Sequence, residues 1–313
     1  YYPFLFLDDA ILGHTSFYSF REEFCTLQTM RVGDKSFKKI VGSKNLEKLQ
    51  SRIAAHSFRV RTSDCHDLPP ITFSHRYVEL TAEQKKHYED LKKHFILEAE
   101  NGDILTFRLA IVRIHHLMKI IRGFLPRQVS QDQETYLPLK NNKVSSIIDF
   151  IKESDRKITL WTWFKEEQNA LSEAMRKAGI DFTIYTSATS QKAIKKISSD
   201  SCQVFMSNPA SGGVGLNLQM CSASLWTGPT DKLENYLQAN ARVYRPGQDR
   251  PVTVATLIAP GTVEERMMKR IYDQEDLASL VLDNRLTERD IQEVRSRIMS
   301  TFDTPQSMIK ELA

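Results

Sequence analysis

Gln238, Arg242 and Arg245 stand in the stretch Gln238-Ala-Asn-Ala-Arg242-Val-Tyr-Arg245-Pro-Gly247-Gln248, where two guanidiniums lie three residues apart. Residues at that spacing share one face of a helix. Arginine carries a permanent charge and a rigid fork of donors, which fits paired phosphate oxygens better than the single ammonium of lysine does. Taken alone, the spacing leaves two readings open, a solvated basic face or a phosphate site. A second stretch upstream, Ser207-Asn-Pro-Ala-Ser211-Gly212-Gly213-Val-Gly215-Leu-Asn217-Leu218-Gln219, follows the strand-like run at 202–206. Its glycines let backbone N–H groups approach an anion, and they also suit a plain tight turn.

Elements must hold these groups in place. Leu233, Tyr236, Leu237 and Ala241 recur at helical spacing and Pro246-Gly247 cannot continue a helix, so the arginines are expected in its last turn or at its mouth. From Lys143 onward strands expected at 157–162, 181–185, 202–206, 223–227 and 252–258 alternate with helices at 143–153, 165–177 and 191–199. Strands rich in Val, Ile and aromatic residues alternating with helices imply an α/β fold, a parallel sheet with helices on both faces. Such sheets bind ligands in loops leaving the C-terminal ends of strands. Three loops qualify: 207–217, Trp163-Phe164 and Thr186-Ser187-Ala188-Thr189. The hydroxyls of the last suit either phosphate contacts or the cap of the next helix.

Residues 1–127 read as mostly helical, with a short extended piece at 71–80, a capping box at Thr81–Gln84 and a second long helix at 104–121. His115 and His116 are adjacent on that helix and point in different directions, so they are expected to be structural. The polar stretch 128–142 reads as a linker, 143–272 as the α/β lobe and 273–313 as a C-terminal extension of amphipathic helices. With 41% hydrophobic and 26% charged residues the chain can bury a core, and a net charge of +4 permits a phosphate partner without arguing for one. Cys25, Cys65, Cys202 and Cys221 lack metal-ligand or disulfide-framework spacing, and no metal site is expected. No membrane-length apolar run or leader is present, which points to an intracellular protein in the cytoplasm of a bacterial or phage-infected host, or in a nucleus.

Together, 207–219 and 238–248 resemble motifs V and VI of superfamily two helicases, and specifically of Swi/Snf-type DNA translocases, whose lobes end in Q-x-x-x-R-x-x-R-x-G-Q. Phe20-Arg-Glu-Glu-Phe24, Phe58-Arg59-Val-Arg61-Thr62, Asp67-Leu-Pro-Pro70 and Val78-Glu-Leu-Thr81-Ala-Glu-Gln84 resemble the Snf-specific helical region. Gly13-His14 and Gly123-Phe-Leu125 resemble phage and mobile-element members. The resemblance implies a RecA-like lobe in which Arg242 and Arg245 act as arginine fingers on ATP, with Gln238, Gly213, Gly215 and Asn217 beside the nucleotide. It also implies that Ser187, Thr189, Trp163, Ser211 and Gly212 face double-stranded DNA. Trp163 replaces the usual motif IV Gln, Ser187 a common Gly, and Asp231-Lys-Leu233 the triplet W-N-P. The sequence has neither G-x-x-x-x-G-K-[ST] nor a strand-borne acidic pair. ATP with Mg would therefore be held by an N-terminal RecA-like lobe, in cis or as a separate chain, and these residues alone are expected to be inactive. The opening Tyr1-Tyr2-Pro3, without Met, fits a piece of something longer. The alternative is a non-catalytic docking module of a defence, restriction or remodelling complex.

Overall fold

Ile158-Thr-Leu-Trp161 and Ala223-Ser-Leu-Trp226 lie side by side in parallel, Trp161 opposite Trp226, and their alternation gives the central sheet two unlike faces. The computed structural model describes residues 2–8, 10–32, 35–58, 65–100, 107–130, 133–186, 188–212 and 215–282. Described residues up to 58, with 96–100 and 269–282, group in one compact unit, and 65–95 with 107–268 in a second.

The first unit holds α1 (Tyr2–Leu7), α2 (Phe17–Phe24), an antiparallel hairpin of β1 (Cys25–Val32) and β2 (Lys35–Ser43), and α3 (Leu46–Ala54). Leu12, Phe24, Leu49 and Ile53 form its core. The hairpin adds two strands to a region expected to be mostly helical. Gly33-Asp34 between two runs of alternating polarity was its sequence signal.

Further along the chain β3 (Ile71–Tyr77) precedes α4 (Ala82–Glu100), α5 (Phe107–Ile121) and a hairpin of β4 (Phe124–Ser130) and β5 (Gln133–Pro138). The hairpin occupies most of the stretch expected to be a linker. There follow α6 (Asn142–Glu153), β6 (Ile158–Trp161), α7 (Lys165–Lys177), β7 (Phe182–Tyr185), α8 (Ser190–Ile197), β8 (Val204–Ser207), α9 (Pro209–Gly212), β9 (Ala223–Trp226), α10 (Leu233–Asn240), β10 (Val252–Ile258) and α11 (Val263–Leu282). The sheet order is β3-β10-β9-β6-β8-β7, with every neighbouring pair parallel. The α/β, RecA-like expectation holds, and all five strands expected after Lys143 are present. The sheet also takes in β3, which lies outside the 143–272 span expected for the lobe.

On one face Ile158, Leu160, Val204, Met206, Ala223, Leu225, Ala255 and Leu257 pack against Ile147 and Ile151 of α6 and Leu171 and Met175 of α7. Those helical residues recur at i and i+4, the period of a buried stripe. On the other face the Trp161 and Trp226 rings lie 5.8 Å apart and Tyr236 of α10 is 5.0 Å from Trp226. Buried indoles need acceptors. Trp161 Nε1 donates to Ser224 Oγ at 3.0 Å, while Trp226 Nε1 and Ser224 Oγ both donate to Asn240 Oδ1 at 3.1 Å. The end of α10 is thereby fastened to the sheet, and the arginine motif begins there.

Candidate functional site

Loops 162–164, 208–221 and 227–230 leave the C-terminal ends of β6, β8 and β9, and the turns after α10 close against the second of them. α10 stops at Asn240, with Ala241 as C-cap, so Arg242 and Arg245 lie beyond the helix in consecutive turns rather than in its last turn. The reason is local: the Arg242, Val243 and Tyr244 amides donate back to Ala239 and Asn240 carbonyls, tightening the chain before Pro246 is reached. Gly247 then adopts φ +94°, a left-handed conformation open to glycine. A Cβ there would come within 2.9 Å of Gln219 Oε1.

The two glycine- and arginine-bearing stretches meet. Leu218 N donates to Arg242 O at 3.0 Å, and Arg245 Nη1 donates to Leu216 O at 3.3 Å. The buried Gln248 amide donates to Gln219 O, Cys221 O and Val243 O at 2.9–3.1 Å. One side-chain amide thus joins both stretches, a role that the sequence reading did not give it. Among the expected nucleotide-side residues, Asn217 is exposed and its Oδ1 accepts from Gln219 N at 3.4 Å, while Gly215 is exposed with φ +74°. Gln238 is half-buried and its amide donates to Glu234 of the same helix at 2.9 Å. Gly213 lies outside the described residues, as does Ser187.

Of the residues expected to face DNA, Ser211 is exposed, with its hydroxyl donating to Asn208 O at 3.2 Å. Gly212 is buried, and a Cβ there would overlap Ser207 and lie 3.0 Å from Trp161 Cζ3, so glycine lets α9 seat on the strand ends. Thr189 Oγ1 donates to Ile184 O at 2.8 Å and accepts from Thr186 N at 3.0 Å. Its proton is therefore committed, and no side chain caps α8. Trp163 is half-buried; its carbonyl accepts from Asn208 Nδ2 at 3.1 Å, and its amide donates to Glu167 Oε2 at 2.9 Å.

Behind these loops sits a buried group of charges that the sequence reading missed. Arg122, just after α5, places Nη1 3.0 Å from Glu167 Oε1 and within hydrogen-bond reach of Thr227 Oγ1, and its Nε lies 3.0 Å from Glu264 Oε1. Lys143 Nζ donates to both Glu264 oxygens at 2.7–2.8 Å and to Thr227 O at 2.9 Å. Burial lowers the Lys143 pKa to about 8, against the pull of the Glu264 carboxylate. A signal existed: Lys143 is in phase with Ile147 and Ile151, Glu167 with Leu171 and Met175, and Glu264 with Met268 and Ile271, each a charge on an apolar stripe.

Residues 140–247 match the helicase conserved C-terminal domain. The match runs from just before α6 through Gly247, so it takes in both the glycine loop and the arginine turns. An uncharacterized ATP-dependent helicase of Mycoplasma genitalium is 25% identical over 260 residues, 79% of this chain and 24% of that one. A DNA repair and recombination protein RAD54-like of Drosophila grimshawi is 28% identical over 137 residues, 42% of this chain and 17% of that one. The chain thus spans about a quarter or less of these relatives. Among solved structures, the Sulfolobus solfataricus SWI2/SNF2 ATPase core in complex with dsDNA shares the fold with a TM-score of 0.53 at 19% identity, covering 97% of this chain and 61% of that one. The C-terminal part of the Fun30 ATPase domain gives 0.52 at 16%, covering 75% and 97%. Among the described residues no helix is long and apolar enough to cross a membrane.

Proposed function

We propose that this chain is the C-terminal half of an ATP-dependent double-stranded DNA translocase of the Swi/Snf type, working with an N-terminal RecA-like lobe that holds ATP and Mg. The observation that carries the reading is the joint between the glycine loop and the arginine turns, made by Leu218 N to Arg242 O, Arg245 to Leu216 O and the three bonds of Gln248. Arg242 and Arg245 present charge at the mouth of this joint. Arg245 spends one donor on Leu216 O and keeps the rest of its fork for an incoming phosphate. Facing a nucleotide on the other lobe, the pair stabilises charge that develops on the transferring phosphoryl group, while Gly215, Asn217 and Gln238 shape the near side of the cleft. Trp163, Thr189 and Ser211 stand on the strand-end loops offered to duplex DNA, and the buried Gly212 lets α9 seat beneath them. The uncapped first turn of α8 leaves backbone N–H groups there for a phosphate, with Thr189 positioning the turn rather than donating to DNA.

The test supplies the chain with a lobe bearing a Lys-containing phosphate loop and measures DNA-stimulated phosphate release. Arg242→Ala and Arg245→Ala are expected to lower turnover by roughly 10³-fold or more while keeping most DNA affinity, and Arg→Lys to rescue little, since the ammonium lacks the fork. Normal turnover in either alanine variant would overturn that residue's role. The second reading, a docking module, draws on the Arg245 bond to Leu216 O, which is a purely structural use. It expects both alanine variants to lose thermal stability and Lys to restore function.

A further inference from the structure

We infer that Arg122 is a positioning residue for the turn that leaves β6, acting through Glu167. Arg122 is 2% exposed, and its side chain reaches past the end of α5 into the strand-end layer. One oxygen of Glu167 takes Nη1 of Arg122 at 3.0 Å. The other accepts the backbone N–H of Trp163 at 2.9 Å and that of Phe164 at 3.5 Å. A carboxylate that spends one oxygen on a guanidinium and the other on two consecutive amides fixes where that turn can lie, because its charge strengthens all three hydrogen bonds. Arg122 also fastens the neighbouring turn: its Nη1 donates to Thr227 Oγ1, which itself donates to Trp161 O at 3.1 Å at the very end of β6.

Room for this arrangement is built into the chain. A Cβ at Gly228 would overlap Nη2 of Arg122 and come within 2.5 Å of Glu264 Oε1 and 2.6 Å of Arg122 Cζ. Two cations, Arg122 and Lys143, face two anions, Glu167 and Glu264, so the group is balanced without solvent. Removing one member of a buried, balanced set leaves an uncompensated charge. The arrangement therefore holds as a unit, and it links the helix before the β4–β5 hairpin to the turn that carries Trp163. An arginine just beyond the end of α5 thereby sets the geometry of that turn, and its consequence for DNA rests on the function proposed above.

Amide hydrogen exchange at Trp163 and Phe164, read beside duplex DNA titration and thermal unfolding, tests the inference on the intact chain. Arg122→Lys keeps the charge but cannot span Glu167, Thr227 and Glu264 at once. It is expected to speed exchange at these two amides roughly tenfold or more, the size of a lost charge-assisted hydrogen bond, while amides of β8 and β10 keep their protection. Glu167→Gln keeps an acceptor but removes the charge that both amides share and leaves Arg122 uncompensated, and is expected to speed exchange at least as much as Arg122→Lys. A folded Arg122→Lys with unchanged exchange at Trp163 and Phe164 would overturn the positioning role, as would loosening spread evenly over the sheet. If Arg122→Met fails to fold, Arg122→Lys and Glu167→Gln still decide. DNA affinity reports separately: local loosening with weaker binding supports both inferences, whereas local loosening in a chain whose wild type ignores DNA upholds positioning and removes the DNA reading.

Discussion

At the scale of single residues, buried charge and forced glycine make the sharpest claims. Gly228→Ala pushes a methyl group into the Arg122 guanidinium and the Glu264 carboxylate. Overpacking a core typically costs about 1–3 kcal/mol, and displacing a buried ion pair adds to it, so a loss of roughly 3 kcal/mol or more is expected in urea unfolding. Gly179→Ala serves as control: it has φ +70° and nothing within 4 Å, so only backbone strain of about 1–2 kcal/mol applies. Lys143 predicts a pH effect. Its folded pKa of about 8 lies below the unfolded value of 10.5, so between those values the unfolded chain holds a proton that the folded chain has released. Stability from this group therefore rises with pH through the window, by up to about 1.4 kcal/mol per unit. Cys221, pushed up to about 12 by burial, acts oppositely above its usual 9. The interval from pH 8 to 9 is thus the one to read, and the rise is expected to vanish in Lys143→Met. The sequence made Arg242 and Arg245 conspicuous because their motif is contiguous, whereas Arg122, Lys143, Glu167 and Glu264 are brought together only by folding.

At the scale of elements, the joint between loop 215–221 and turns 241–248 depends on one amide. Gln248→Leu removes the donor shared by Gln219 O, Cys221 O and Val243 O. Unmet buried carbonyls cost about 1–3 kcal/mol, and the expected result is a loss of roughly 2–3 kcal/mol. Faster amide exchange should accompany it at Leu218 and Cys221, ahead of any change in α6 or α7. Strands and helices after Lys143 were legible because each is a short run of one period bounded by polar turns. The Thr81–Gln84 capping box was legible too, and both of its reciprocal bonds form, Gln84 N to Thr81 Oγ1 at 3.2 Å and Thr81 N to Gln84 Oε1 at 3.1 Å. Two hairpins were not read: Gln133–Pro138 is largely polar and pairs with Phe124–Ser130, and the alternating runs on either side of Gly33-Asp34 pair with each other. The end of α10 was misplaced for a different reason: tight turns with i to i+3 bonds carry apolar spacing past the last helical residue.

At the scale of the whole molecule, the proposed DNA contacts are of the backbone kind, so binding should be indifferent to sequence and steeply dependent on salt. The logarithm of the association constant is expected to fall by roughly 0.9 for each phosphate neutralised per tenfold rise in salt. Titration of unrelated duplexes at several salt concentrations checks this, and a strong preference for one sequence would refute it. Sequence pattern could not show that β3 belongs to the sheet, because a parallel strand declares no partner and this one pairs with the last strand of the set. Ser74 and Val254, joined across that pair, are 180 residues apart in the chain. A ribosome adding ~5–20 residues per second needs roughly ten to forty seconds to cover that distance. Throughout that interval the aromatic edge of Phe73 and Tyr77 is finished while β10, its strand neighbour among the described residues, is unmade. Joining β3 to the sheet must therefore wait until β10 has been made, and slow codons placed between positions 77 and 252 should lower the soluble yield in proportion to the added delay.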